Sequence, residues 1–179
     1  MSTITGLAYR PGVPGDELCI SVLAMQVFLD TYATKGISPD LAREALGVYS
    51  MDVFGARLRN PDVRMFIVEV DRHLVGFIDL SLNSPCPTRE LEGLEVLRLY
   101  VQAPFQHRGI GQALLRISED VAVEYGKDHI WLTAWVGNQR ALAFYPAAGY
   151  KDAGTTQYAI EGQVFENRVF VKRLLGKAS

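Results

Sequence analysis

Leu97-Arg98-Leu99-Tyr100-Val101-Gln102-Ala103-Pro104-Phe105-Gln106-His107-Arg108-Gly109-Ile110-Gly111-Gln112-Ala113-Leu114-Leu115 is the stretch on which the fold turns. An apolar strand ends at Val101, the chain turns at Pro104, and a glycine-containing turn opens a helix. Ile110, Leu114, Ile117, Val121 and Tyr125 recur at helical spacing on one face of that helix. Gly126 is placed to end it. A strand that feeds a helix start in this way aims several unpaired backbone N–H groups at one spot, and the helix dipole adds partial positive charge there. A phosphate fits such a place. Gly109 and Gly111 carry no side chain to block close approach, and Arg108 adds charge. The dinucleotide fingerprint fails, because its third glycine position holds Leu114, and no GK[ST] follows to make a Walker loop. Gly-Ile-Gly alone is equally what tight helix–sheet packing uses.

Outward from this stretch the chain alternates in period. Residues 4–10 suit a short strand, and Pro11 to Gly15 a turn. Leu18, Val22, Met25 and Leu29 fall at helical spacing between Asp16 and Tyr32. Ser38-Pro39 is an N-cap followed by proline at the first helical position, opening a helix to about Leu58 with a break at Gly47 or Gly55. Met65–Val70 and Leu74–Leu82 predict a hairpin across Asp71-Arg72-His73. Ser84 to Glu92 is a loop, and Leu94–Val101 and Ile130–Val136 are strands. Asn138 caps a helix ending near Gly149. Lys151–Ile160 and Val164–Leu174 predict a last hairpin across Glu161-Gly162-Gln163. The sum is an α/β (α+β) mixed sheet of about seven strands with about four helices, in one domain over residues 1–179. Strand–helix–strand from 94 to 136 predicts a parallel crossover.

Bulk properties exclude several classes. The 179 residues are 49% hydrophobic and 21% charged, with net charge −2, which suits one globular core rather than disorder. No run of Lys or Arg exceeds a pair, which argues against nucleic acid as a partner. No signal peptide is read at the N-terminus. The most apolar stretch, Leu18–Leu29, is too short to span a bilayer, so no membrane association is expected. Cys19 and Cys86 are read as reduced thiols of a cytoplasmic protein, one in the core and one in a loop. His73, His107 and His129 are scattered without metal spacing, so no metal is expected.

Two motifs stand in order: Gln106-His107-Arg108-Gly109-Ile110-Gly111, then Asn138-Gln139-Arg140-Ala141-Leu142-Ala143-Phe144-Tyr145. Both resemble the GCN5-related N-acetyltransferases (GNAT superfamily), closely over residues 75–150 and in element order over nearly the whole chain. The resemblance implies the GNAT acyl-CoA N-acyltransferase fold, with acetyl-CoA as cosubstrate and no metal. Backbone amides of Gln106, His107, Arg108, Gly109, Ile110, Gly111 and Gln112 would hold the pyrophosphate. Leu99, Tyr100 and Val101 would pair with the pantetheine arm, and the Val101 amide would meet the thioester carbonyl. Asn138 would contact pantetheine, although its N-cap role explains it equally well. Tyr145 stands where the family often places the acid that protonates the departing thiolate. Pro146 beside it should kink or end the helix and shift Tyr145.

A primary amine also needs a base. Glu95 is the candidate, alternating with Leu97, Leu99 and Val101 on one strand face; Asp79 and Glu92 are weaker ones. Phe28-Leu29-Asp30-Thr31-Tyr32, Ile130-Trp131-Leu132-Thr133-Ala134-Trp135 and the segment from Gly154 to Tyr158 resemble a bacterial polyamine (spermidine/spermine) N-acetyltransferase branch. That likeness implies an acceptor slot lined by Asp30, Tyr32, Trp135 and Tyr158, where Trp135 and Tyr158 would hold an ammonium by cation–π contact, unless both are core aromatics. The expected function is acetyl transfer to a primary amine of a small molecule. A protein or peptide N-acetyltransferase and a non-catalytic CoA-binding module are the alternatives. A homodimer is expected by family analogy alone.

Overall fold

The structure, a computed structural model, describes residues 6–160 and 163–174. In chain order the elements are β1 (Leu7–Pro11), α1 (Glu17–Tyr32), α2 (Pro39–Val48), α3 (Met51–Arg59), β2 (Val63–Val70), β3 (His73–Pro85), β4 (Glu92–Val101), α4 (Ile110–Glu124), β5 (His129–Trp135), α5 (Gln139–Ala147), β6 (Lys151–Ile160) and β7 (Gln163–Arg173). The seven strands form one sheet in the order β1-β2-β3-β4-β5-β7-β6. The start of the strand expected over residues 4–10, and Glu161 and Gly162 of the last expected turn, lie outside the described residues.

The chain divides into two compact units, residues up to Asp79 with Arg98–Leu114, and Leu80–Leu97 with the chain from Leu115 onward. In the first, β1 pairs antiparallel with β2. The turn between β2 and β3 has positive φ at both Asp71 (49°) and Arg72 (66°), the geometry of a two-residue hairpin turn whose twist matches its strands. Ser38 caps α2 through its side chain, accepting from the Leu41 amide. The expected long helix breaks at Tyr49–Ser50 instead of at a glycine, because Ser50 caps a separate α3 by accepting from the Val53 amide. The helix count therefore rises to five among the described residues.

Helix α1 corrects the reading of its face. Its buried residues are Ile20, Ser21, Leu23, Ala24 and Phe28, while Leu18 and Val22 are 59% and 60% exposed. The helix is apolar nearly all round, so spacing alone could not choose a side. In α4 polar residues separate the faces, and most of the expected stripe lands where its spacing puts it: Ile110, Leu114 and Val121 are buried and Ile117 half-buried, while Tyr125, just past the helix end, is 40% exposed.

In the second unit β4 and β5 run parallel, with Leu94, Glu95 and Val96 opposite Ile130, Trp131 and Leu132. β7 pairs antiparallel with both β5 and β6. Of the one core and one loop thiol expected, the loop thiol is itself the buried one. Loop residue Cys86 is buried against Trp131 and Val169, and Cys19 is exposed on α1, a consequence of the misread helix face.

Candidate active site

In the first unit the end of β4 is tightly held. Gly76 of β3 lies so close that a Cβ there would sit 2.8 Å from the Tyr100 carbonyl oxygen, so only glycine permits this approach. Arg98 donates to Asp79 Oδ2 at 2.7 Å, while Arg57 donates to Oδ1 at 2.6 Å. Asp79 is fully buried. The Arg98 guanidinium also lies over the rings of Tyr49 and Phe54, at 5.3 and 5.4 Å from their centroids. An acid gripped by two cations serves as an anchor, and removing one partner of such a buried pair costs about 3–5 kcal/mol. Asp79, a weaker candidate base in the sequence, thus ties β4 to β3 and α3. Its signal was Arg98 itself, a cation amid the apolar residues of a strand.

After Val101 a short 3-10 turn (Ala103–Phe105) leads to Gln106. The Gln106 side chain donates to the Val101 carbonyl at 2.8 Å, closing the loop on the strand end. His107 (φ 59°) and Gly109 (φ 81°) take left-handed backbone conformations, and a Cβ on Gly109 would meet nothing within 4 Å. Its glycine is needed for the φ, and the space beside it is open. Ala113 makes the first helical bond, to the Gly109 carbonyl at 3.0 Å. The amides of Ile110, Gly111 and Gln112 therefore stand ahead of the helical ladder, at the positive end of the fifteen-residue α4. His107, Arg108 and Gly109 are exposed and Gly111 half-buried, so the turn is reachable.

The first unit also carries Asp30, exposed, and Tyr32 at the end of α1. Tyr32 packs on Phe28 with ring centroids 5.0 Å apart, and burial raises its hydroxyl pKa well above the usual tyrosine value. Tyr49 and Tyr100 share a hydroxyl contact of 3.2 Å, and desolvation raises both.

In the second unit Asn138 caps α5, its Oδ1 accepting from the Ala141 amide at 3.1 Å. The helix runs one residue past Pro146. Its end is sealed because the Tyr145 carbonyl accepts from the amides of Ala148 (3.0 Å) and Tyr150 (3.1 Å). Pro146 cannot give the Leu142 carbonyl its helical bond, and the helix ends one residue later, as that loss requires. Tyr145 is buried among Phe144, Tyr150 and Phe170, at centroid distances of 5.2, 6.1 and 5.7 Å. Desolvation pushes its pKa up to about 12.

The other face of this unit's sheet holds the remaining candidates. Phe170, packed on α5, belongs to one face, so its neighbours Val169 and Val171 point the other way. Register places Trp131 opposite Val171, Thr133 opposite Val169 and Trp135 opposite Asn167 on that second face. Glu95, opposite Trp131, shares it. Glu95 is half-buried, and Leu97 on its side of β4 is 39% exposed. Trp135 meets Phe165 edge-on at 5.9 Å. Its ring folds back over Gly137, where a Cβ would sit 2.4 Å away. β6 slips by one residue between Asp152 and Thr155, at Gly154 with φ 114°. A one-residue slip exchanges the two faces of a strand. The bulge puts Tyr158, instead of Gln157, beside Phe165, and so brings Tyr158 and Trp135 to one surface.

Residues 31–150 match the acetyltransferase (GNAT) family. The chain belongs to the GNAT acetyltransferases. An uncharacterised N-acetyltransferase from the pepI 3′ region of Lactobacillus delbrueckii subsp. lactis is 28% identical over 71% of this chain and 74% of its own length. The streptothricin acetyltransferase of Streptomyces lavendulae is 31% identical over 63% of this chain and 57% of its own. In fold, the chain is similar to the crystal structure of the PaiA N-acetyltransferase of Thermoplasma acidophilum in complex with coenzyme A. That likeness has a TM-score of 0.73 and 21% identity, and covers 97% of this chain and 99% of the other. As a GNAT protein the chain is an acyltransferase that takes its acetyl group from acetyl-CoA. Among the described residues no cluster of three or more His, Cys, Asp or Glu could hold a metal ion, and no helix is long and apolar enough to cross a membrane.

Proposed function

We propose that this GNAT protein acetylates a primary amine of a small molecule. The observation that carries the reading is the turn from His107 to Gln112: two left-handed residues deliver three consecutive unladdered amides at a helix N-terminus. Such amides suit the coenzyme A pyrophosphate. β4 pairs with β5 at Leu94, Glu95 and Val96, and further along it offers backbone for the pantetheine arm at Leu99, Tyr100 and Val101. Asn138 spends its Oδ1 on the helix cap, which leaves its NH2 end as the donor for pantetheine.

In this reading the amine nitrogen attacks the thioester carbonyl carbon, and the Val101 amide stabilises the oxyanion that forms. Collapse breaks the C–S bond, the attacking nitrogen gives its second proton to solvent as the amide forms, and the thiolate takes the Tyr145 hydroxyl proton, which solvent returns. A protonated amine near pKa 10.4 must first lose a proton, at a cost of about 4 kcal/mol at neutral pH. Glu95 receives it directly or through water. Its position on the face of Trp135 and Tyr158 supports that role.

Two observations support a small amine. The relative from Streptomyces lavendulae is named for streptothricin, a small molecule. The face of Trp135, Phe165 and Tyr158 offers ring surface suited to an ammonium group. Thiol release from acetyl-CoA should be measured with spermidine, streptothricin, amino acids, aminoglycosides and a short peptide. Release with a small amine supports the reading. Release with the peptide alone would replace it by a peptide acetyltransferase, and coenzyme A binding without release for any amine would replace it by a binding module.

A further inference from the structure

Asn167, at the centre of β7, is 7% exposed, and its side-chain oxygen Oδ1 is buried with no hydrogen-bond partner among the described residues. Folded proteins rarely leave such an acceptor unmet, and each case calls for a physical reason. Its surroundings suggest one. Register sets Asn167 between Trp135 on β5 and Thr156 on β6. Opposite strand partners point to the same face, as do residues two apart, so Phe165 and Tyr158 form the adjacent row. The Trp135–Phe165 ring contact at 5.9 Å confirms that these rows touch. This buried, unmet neutral acceptor thus lies in rows that also hold the rings of Trp135, Phe165 and Tyr158, an environment that attracts a cation or a polarised N–H. No carboxylate competes in these rows. Glu166 and Arg168 alternate onto the opposite face.

We infer that Asn167 is a specificity-determining residue of the acceptor site, its Oδ1 accepting a hydrogen bond from an ammonium or N–H group of the amine substrate. The Gly154 bulge and Gly137 are then part of the same device, since one brings Tyr158 to the patch and the other lets the Trp135 ring lie over it. This rests on the proposed small-amine reading, and it adds a residue that carries no charge and belongs to no motif.

The test uses full-length Asn167→Leu and Asn167→Asp with whichever of spermidine, streptothricin or an amino acid the wild type acetylates fastest. Leucine keeps the shape and deletes the acceptor. Because the oxygen lacks a protein partner, Asn167→Leu should melt at or above the wild-type temperature, yet raise the KM for the amine at least tenfold while acetyl-CoA KM stays within twofold. Asn167→Asp, which keeps the acceptor, should hold or lower the amine KM. An amine KM within twofold for Asn167→Leu overturns the inference, as does a fall in melting temperature with unchanged KM, which would mark a structural role. Loss in Asn167→Asp equal to that in Asn167→Leu would also overturn it, by making the amide a donor. A wild type that acetylates none of the amines fails the underlying reading instead.

Discussion

The two ends of the proposed reaction are built of different material. From Val101 to Gln112 the chain presents backbone. Its amides are aimed by left-handed residues at His107 and Gly109 and by the clamp of Gln106 on the Val101 carbonyl. The β5–β7–β6 face presents side chains, Trp135, Phe165, Tyr158 and Asn167, whose placement depends on a bulge at Gly154 and on register across three strands. A coenzyme common to a whole family can be gripped by backbone, which tolerates many side chains as long as the turn keeps its shape. An acceptor that differs from one enzyme to the next needs side chains. The contrast teaches that substitutions should act through conformation at one end and through chemistry at the other.

The largest effects should come from Tyr145 and Glu95, the two residues proposed to transfer protons. Tyr145→Phe should lower kcat about 100-fold with little change in either KM, since proton transfer contributes on the order of 10²–10⁴-fold. Tyr145 keeps its proton up to about pH 12, so the wild-type kcat profile should show no alkaline limb from this residue below about pH 11. Glu95→Gln should lower kcat by a similar order and remove the acidic limb of the profile. An unchanged limb would reassign the base. Next comes the turn. Gly109→Val forces a β-branched residue to φ 81°, strain of roughly 1–3 kcal/mol, and should raise acetyl-CoA KM about tenfold. Arg108→Ala removes only a charge and should raise it about two- to fivefold. The opposite ranking would break the claim that this end works through backbone.

The smallest effect concerns stability. Tyr32, Tyr49, Tyr100, Tyr145 and Tyr150 all have folded-state pKa values raised by burial. Below about pH 10 the phenols are neutral in both folded and unfolded chains and their burial contributes fully. Above it the unfolded chain ionises first, so stability falls as pH rises toward the folded values. Melting temperature should be flat from pH 7 to about 9.5 and drop beyond. A drop with no tyrosinate absorbance on unfolding would contradict this cause.

The strand–turn–helix end was legible in sequence because everything it needs is local: glycine positions, an amphipathic α4, and the second motif downstream. The capping of α2 by Ser38 was legible for the same reason. What escaped is non-local. Leu18 and Val22 look like core until α1 shows a better apolar face around Ile20 and Phe28. Arg98 and Asp79 are nineteen residues apart, and nothing in their spacing announces a buried pair. Asn167 reads as an ordinary strand residue until register sets it beside Trp135. Tyr158 could be named but not placed, because its face depends on a single extra residue in β6.

Backbone amide resonances of the protein titrated with coenzyme A test the central claim most directly. Binding should shift Ile110, Gly111 and Gln112 downfield and slow their exchange with solvent, with smaller changes at His107 and Arg108. Coenzyme A that binds while those three amides keep their shifts and exchange rates would contradict the account.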